Sequence, residues 1–264
     1  MKTEIQAKEI IIKGLKVYYS TAGNPQNQVI VFLNGWGARF SGIFGSRKII
    51  KQLAGRGFFV YSPEHPGLMR SETPKYVWGV EEYVADLNDF ITKLNIQNLI
   101  LIGQSFGGSI ATAYAYRHSA NLKTLILVSS GVSSDKPNGR FFWAWFYGKL
   151  FKKLLLAPLA PRILKKILVS WFLGVPWNFT QKNTFEEHSI MGEIFKNWLL
   201  ENRYAQIKIK TILVWGKRDT LIPISSAEKV VQELSHGILF KLNGGHSILY
   251  TRTKMVVNFI AGKI

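Results

Sequence analysis

The stretch "ILIGQSFGGS", residues 100–109, sets a small polar residue, Ser105, between glycines at the end of an apolar run. The run begins at Asn98, and "NLILIG" has the continuous apolar character of a strand buried on both faces. Beyond it, residues 109–118 are small and read as a helix. Ser105 is therefore expected at a tight strand-to-helix turn. Bulkier residues at Gly103 and Gly107 would block the close backbone approach such a turn needs. Taken alone, the pattern fits a mere turn residue as well as an activated nucleophile, and the surrounding chain has to decide.

Outward from this turn, strands and helices alternate. Glu9–Lys13 and Leu15–Ser20, split by Gly14, read as a hairpin. "QVIVFLNG" (28–35) and the start of "GFFVYSPEHPG" (57–67) are buried strands, with a helix over 44–53 between them. Residues 80–94 place Val80, Tyr83, Val84, Leu87, Ile91 and Leu94 at helical spacing. Strands follow in "LKTLILVSSG" (122–131), "TILVWG" (211–216) and "ILFKLNG" (238–244), with helices over 224–234 and 247–260. This order predicts an α/β fold: a mostly parallel, doubly wound sheet with an antiparallel hairpin at one edge. Residues 132–206 interrupt the rhythm, and a structureless loop of that length is uncommon. They are expected to form a helical cap inserted into a core of residues 1–131 and 207–264.

At 264 residues with 47% hydrophobic content, the chain suits one large globular domain carrying an insertion. It has no cysteine, which excludes disulfides, thiolate metal sites and cysteine nucleophiles. Its amino terminus, "MKTEIQAKEI", is charged throughout, and no uncharged apolar stretch reaches the roughly 18 residues that span a bilayer. A soluble, cytoplasmic protein is expected. The net charge of +18 favours anionic partners.

Half of that charge falls within residues 136–185, which contain nine basic residues and no acidic one. Here Lys149, Lys152 and Lys153 share one helix face, with Tyr147, Leu150, Phe151 and Leu154 on the other. Pro158 and Pro161 separate this helix from a second with Arg162, Lys165 and Lys166. Such a segment either covers a site with its apolar face or rests peripherally on an anionic membrane, with Phe141, Trp143 and Trp145 at the interface. Nucleic acid is not expected as a partner, since no nucleic-acid-binding fold is present.

Sites in parallel sheets form at the carboxyl ends of the strands. A serine hydroxyl needs a neighbouring base, and the base needs an orienting carboxylate. Of five histidines, His246 follows the last strand in "KLNGGHS", where two glycines permit a turn toward the strand ends. Asp219, in "VWGKRDTLIP", follows the preceding strand in the same way, and Asp135 is the alternative acid. His118 ends a helix, His236 sits in a loop, His188 lies in the cap, and His65 borders the site region without any spacing that demands a role. No metal-ligand spacing and no phosphate-cradling loop is found, so neither a metal nor a cofactor is expected.

With "NGWG" (34–37), "EHPGLMRS" (64–71), "GQSFGG" (103–108), "WGKRD" (215–219) and "GGHS" (244–247) in this order, the chain resembles the α/β-hydrolase superfamily, in its serine-nucleophile branch with an inserted cap. The resemblance implies the α/β-hydrolase fold and a Ser105–His246–Asp219 triad acting through a covalent acyl-enzyme. It also implies an oxyanion hole formed by the backbone N–H groups of Trp36 and Phe106. Two departures stand out. Asn34-Gly35 replaces the family's usual His-Gly, and asparagine is expected to hydrogen-bond the loop in place. Glu64-His65-Pro66-Gly67-Leu68-Met69 replaces Asp-x-Pro-Gly-x-Gly.

The expected activity is hydrolysis of a carboxylic ester with an apolar acyl group. The enzyme alternative is carbon–carbon bond hydrolysis, or another small-metabolite reaction, on the same triad. The non-enzyme alternative is a membrane-associated binding protein.

Overall fold

The computed structural model describes residues 4–35, 46–67, 70–76, 78–132 and 203–264. Trp36, Leu68, Met69, Asp135, His188 and nearly all of the expected cap lie outside the described residues. Eight strands form one sheet: β1 (Gln6–Ile12), β2 (Leu15–Ala22), β3 (Val29–Leu33), β4 (Phe59–Pro63), β5 (Leu99–Gln104), β6 (Leu122–Val128), β7 (Lys210–Gly216) and β8 (Gly237–Leu242). Their spatial order is β1-β2-β4-β3-β5-β6-β7-β8. The β1–β2 and β2–β4 pairs are antiparallel, and every pair from β4 to β8 is parallel. The expected fold class is thus the observed one.

The reason lies in the strands' composition. β5 is buried at all six positions and β3 at four of five, so each must be covered on both faces. The helices supply that cover. On one face α2 (Val80–Lys93), α3 (Phe106–Arg117) and α4 (Ile224–Glu233) pack with Leu101, Leu125 and Leu213. On the other, α1 (Ser46–Ala54), α5 (Ile248–Thr251) and α6 (Thr253–Ala261) pack with Ile30, Ile102 and Ile126. Alternate residues of one strand therefore feed opposite cores.

Two helix boundaries differ from expectation. The helix after Ser105 starts at Phe106, three residues early, because close packing at Gly107 and Gly108, where a Cβ would clash, overrides their low helix propensity. The single helix expected over 247–260 is broken at Arg252 (φ −124°, ψ 32°). Flanking threonines bond backward there: Thr251 Oγ1 donates to the Ser247 carbonyl at 3.1 Å, and Thr253 Oγ1 to the Tyr250 carbonyl at 3.0 Å. Hydroxyls that compete for helix carbonyls bend or end the helix.

The residues on either side of 133–202 meet. Tyr204, in a short helical turn (Tyr204–Gln206), is buried and donates its hydroxyl hydrogen to the carbonyl of Val132. The chain leaves the core after β6 and returns before β7 at one place, and β6 pairs with β7 in unbroken register from Thr124↔Lys210 to Val128↔Val214.

Candidate active site

Ser105 sits in the one-residue turn between β5 and α3, with φ 51° and ψ −117°. Positive φ is strained for a side-chain-bearing residue, costing on the order of 1–3 kcal/mol, and it persists only where neighbours over-determine it. Here they do. Ser105 N–H donates to the Val128 carbonyl at 3.1 Å, and the Ser105 carbonyl accepts from Gly108, Ser109 and Gly131 N–H groups at 3.0, 3.3 and 3.2 Å. The flanking glycines serve as expected. A Cβ on Gly103 would lie 2.5 Å from the Gly107 oxygen, and one on Gly107 would lie 2.5 Å from the carbonyl oxygens of both Leu33 and Asn34.

The turn aims the Ser105 hydroxyl at His246: Oγ and Nε2 are 3.0 Å apart. Across the ring, His246 Nδ1 lies 3.0 Å from Asp219 Oδ2. Because a carboxylate only accepts, Nδ1 carries the hydrogen, which leaves Nε2 as an acceptor facing the hydroxyl. The other Asp219 oxygen, Oδ1, accepts the N–H groups of Leu221 and Ile222 at 3.0 and 2.9 Å. The Asp219 side chain is wholly buried, and that of His246 is 18% exposed, enough to meet a substrate. The Asp219 turn is tied down by Trp215 Nε1–H donating to the Ile222 carbonyl at 3.0 Å. It is joined to the histidine loop by Arg218 N–H donating to the Gly244 carbonyl at 2.8 Å. Ser105, Asp219 and His246 thus leave the carboxyl ends of β5, β7 and β8 and converge.

Phe106 opens α3, so its backbone lies at the positive end of that helix, beside the Ser105 hydroxyl. Asn34, just past β3, is buried, and its side chain bonds two serines: Nδ2 donates to Ser62 Oγ at 3.3 Å, and Oδ1 accepts from Ser46 Oγ at 2.5 Å.

Sequence spacing missed His65. It is buried, and its Nε2 lies 2.9 Å from the Asn34 carbonyl oxygen. Burial pushes its pKa down to about 4, partly opposed by that hydrogen bond, so the ring is neutral and Nε2–H is the donor. Its ring meets Phe106 edge-on at 5.5 Å and Tyr83 at 6.0 Å. Glu64, at the start of the altered stretch, is buried, accepts Arg70 N–H and Nε–H at 2.9 Å each, and forms an ion pair with that guanidinium. The same pairing raises the Arg70 pKa.

Behind this loop, a cavity of about 10 Å³ is lined by Glu64, His65 and Asp86 together with apolar residues of β3, α2 and α3. Asp86 is buried on α2, and its Oδ1 has no hydrogen-bond partner among the described residues. Burial, reinforced by Asp89 and opposed by Lys13, raises its pKa to about 7.

Among the described residues, no group of three His, Asp or Glu side chains is placed to hold a metal ion, and no helix is long and apolar enough to cross a membrane.

Residues 28–253 match the family model of the alpha/beta hydrolase fold. The AB hydrolase superfamily protein YisY of Bacillus subtilis (strain 168) is 27% identical over 252 residues, covering 88% of this chain and 90% of that protein. A monoacylglycerol lipase of Mus musculus is 27% identical over 225 residues, covering 75% of this chain and 66% of the lipase. Among solved structures, a meta-cleavage product hydrolase from Pseudomonas fluorescens IP01 superposes with a TM-score of 0.75 at 19% identity, covering 97% of this chain and 96% of that one.

Proposed function

Because this chain belongs to the alpha/beta hydrolase family and is a hydrolase, we propose that it cleaves carboxylic esters of apolar acyl groups through Ser105, His246 and Asp219. The observation that carries the reading is the unbroken contact from Ser105 Oγ through His246 to Asp219, with both steps at 3.0 Å. The similarity to a monoacylglycerol lipase favours an ester of an apolar acid as the substrate class. Hydrolase membership also favours an enzyme over the membrane-associated binding protein that the sequence alone left open.

In the proposed reaction Ser105 Oγ forms a bond to the acyl carbon while His246 Nε2 takes the hydroxyl proton. The carbonyl π electrons move onto oxygen, and Phe106 N–H stabilises the negative charge, joined by Trp36 N–H as the sequence resemblance implies. The C–O bond to the leaving alcohol then breaks, and that oxygen takes the proton from His246. Water attacks the acyl-enzyme by the same route, giving the acid and restoring Ser105. Asp219 holds the Nδ1–H tautomer and stabilises the transient imidazolium.

Labelling with a fluorophosphonate probe, followed by peptide mapping, tests this. The expected result is a single adduct on Ser105 that Ser105→Ala abolishes and His246→Ala suppresses. A folded protein that takes no label would overturn the nucleophile. A panel of p-nitrophenyl esters of rising chain length tests the substrate class. A labelled enzyme that turns over none of them would move the reading to carbon–carbon bond hydrolysis.

A further inference from the structure

Charge is divided unevenly between the two faces of the sheet. On the face covered by α2 and α4, Glu81, Glu82 and Asp89 accompany Glu228 and Glu233. On the face covered by α1 and α6 neither helix contains a carboxylate. The sequence has no acidic residue from 10 to 63, nor any after Glu233. α1 exposes Arg47, Lys48 and Lys51, and Arg56 follows it. Arg252 precedes α6, which exposes Lys254, and Lys263 follows. None of these seven forms an ion pair among the described residues.

The two helices lie side by side. Both bury their apolar sides in the same core cluster, and Arg56 Nη2 donates to Asn258 Oδ1 on α6. The cations therefore lie on the same side of the sheet.

Four of the seven work against the helices that carry them, while Lys51, Arg56 and Lys263 sit at C-terminal ends, where cations are favourable. Arg47 and Lys48 occupy the first turn of α1, Arg252 is the N-cap of α6, and Lys254 lies in its first turn. A helix N-terminus already bears partial positive charge, so cations there are destabilising, and neither first turn has an acidic residue in compensation. Like charges on adjoining helices add repulsion. Two neighbouring helices breaking the same local rule, on one face only, mark a surface shaped by function.

We propose that the α1–α6 face docks onto an anionic membrane surface. Charge complementarity identifies the partner as polyanionic, and shape favours a lipid surface over a nucleic acid. Ile49, Ile50 and Leu53 of α1, and Val256, Val257 and Ile260 of α6, are buried against the sheet, so neither helix is free to enter a groove. Met255, 48% exposed beside Lys254, adds an apolar side chain to the cationic face, as suits an interface with acyl chains below headgroups. The face also reaches the active-site edge: Ser46 bonds Asn34 at its head, and Arg252 lies shortly after His246. This surface is built from residues other than the basic segment 136–185, and docking there does not depend on the reaction catalysed.

Flotation of the full chain with phosphatidylglycerol-rich vesicles, and with pure phosphatidylcholine vesicles, tests it. Binding is expected only to the anionic vesicles, with release at high salt. The combined variant Arg47→Glu, Lys48→Glu, Arg252→Glu and Lys254→Glu is expected to bind them at least roughly tenfold more weakly. Glutamates near helix N-termini suit the dipole, so this variant is expected to fold and to melt no lower than the parent. A control with the same charge change at exposed sites elsewhere, Lys8, Lys75, Lys123 and Lys208 to Glu, is expected to lose less than about twofold. Equal loss in the control would overturn the proposal, as would failure of the parent chain to float. Binding to a DNA duplex but not to vesicles, lost in the same α1–α6 variant, would overturn it in favour of a nucleic acid.

Discussion

The imidazole of His65 donates a hydrogen bond to the carbonyl of Asn34 at 2.9 Å while its ring packs on Phe106. One buried side chain thereby braces both walls around Ser105: the end of β3 and the start of α3. The Asn34 carbonyl is also one of two oxygens, with that of Leu33, that a Cβ at Gly107 would meet at 2.5 Å.

His65→Leu is accordingly expected to lower kcat roughly tenfold with little change in KM, because the loss falls on donor positioning and not on ground-state binding. His65→Gln keeps a donor and is expected to recover much of that loss. Steady-state kinetics on one soluble ester decide. A loss confined to KM, or no difference between Leu and Gln, would assign His65 to packing alone.

The cavity shared by His65 and Asp86 sets two opposed pH dependences. The folded protein keeps the Asp86 proton to about pH 7, whereas the unfolded chain releases it near 3.8. That contribution is fully present below the lower value and is lost as pH rises to the upper one, a change of about 4 kcal/mol. His65 runs the other way. The unfolded chain takes up a proton below 6.5, while the folded ring resists until about 4, so stability is lost as pH falls through that window, by about 3 kcal/mol.

In the parent chain the two slopes nearly offset. Asp86→Asn is expected to unmask a stability that rises with pH relative to the parent, and His65→Gln one that falls. Urea unfolding at the acid and neutral ends of the window measures both. Parallel curves for parent and variants would refute the assignment.

Ser105→Gly is expected to abolish turnover and stabilise the fold by about 1 kcal/mol. Relief of strain at φ 51° exceeds the added freedom of the unfolded chain. A melting temperature below that of the parent would show that the turn stores no strain.

Asp219→Asn is expected to lower kcat on the order of 10³–10⁴-fold while the fold is kept. Asn Oδ1 can still accept the Leu221 and Ile222 N–H groups, but the amide cannot hold the Nδ1–H tautomer as a carboxylate does. A loss no larger than roughly tenfold would show that another acid orients His246.

The strands and the convergence of Ser105, Asp219 and His246 were legible because both rest on local signals: continuous apolar runs, and a polar residue just past each strand end. His65 was not legible. It sits in a loop without regular periodicity, where spacing carries no direction. Asp86 does leave a trace in the sequence. It lies three residues after Tyr83 and four before Phe90, on the apolar stripe of α2, and a carboxylate at that phase is the signal for a buried charge. The break at Arg252 could not be seen because threonines inside a helical pattern reveal back-bonding only once their rotamers are fixed.

The joint between Tyr204 and Val132 has a consequence for how such a protein diversifies. Since the excursion over 133–202 departs and returns at one point, its length and content are decoupled from the pairing of β6 with β7. Closing a longer or shorter excursion changes the loop entropy only logarithmically. Selection can therefore rewrite that segment wholesale, as an exchangeable module, while the strand ends that hold Ser105, Asp219 and His246 stay in register.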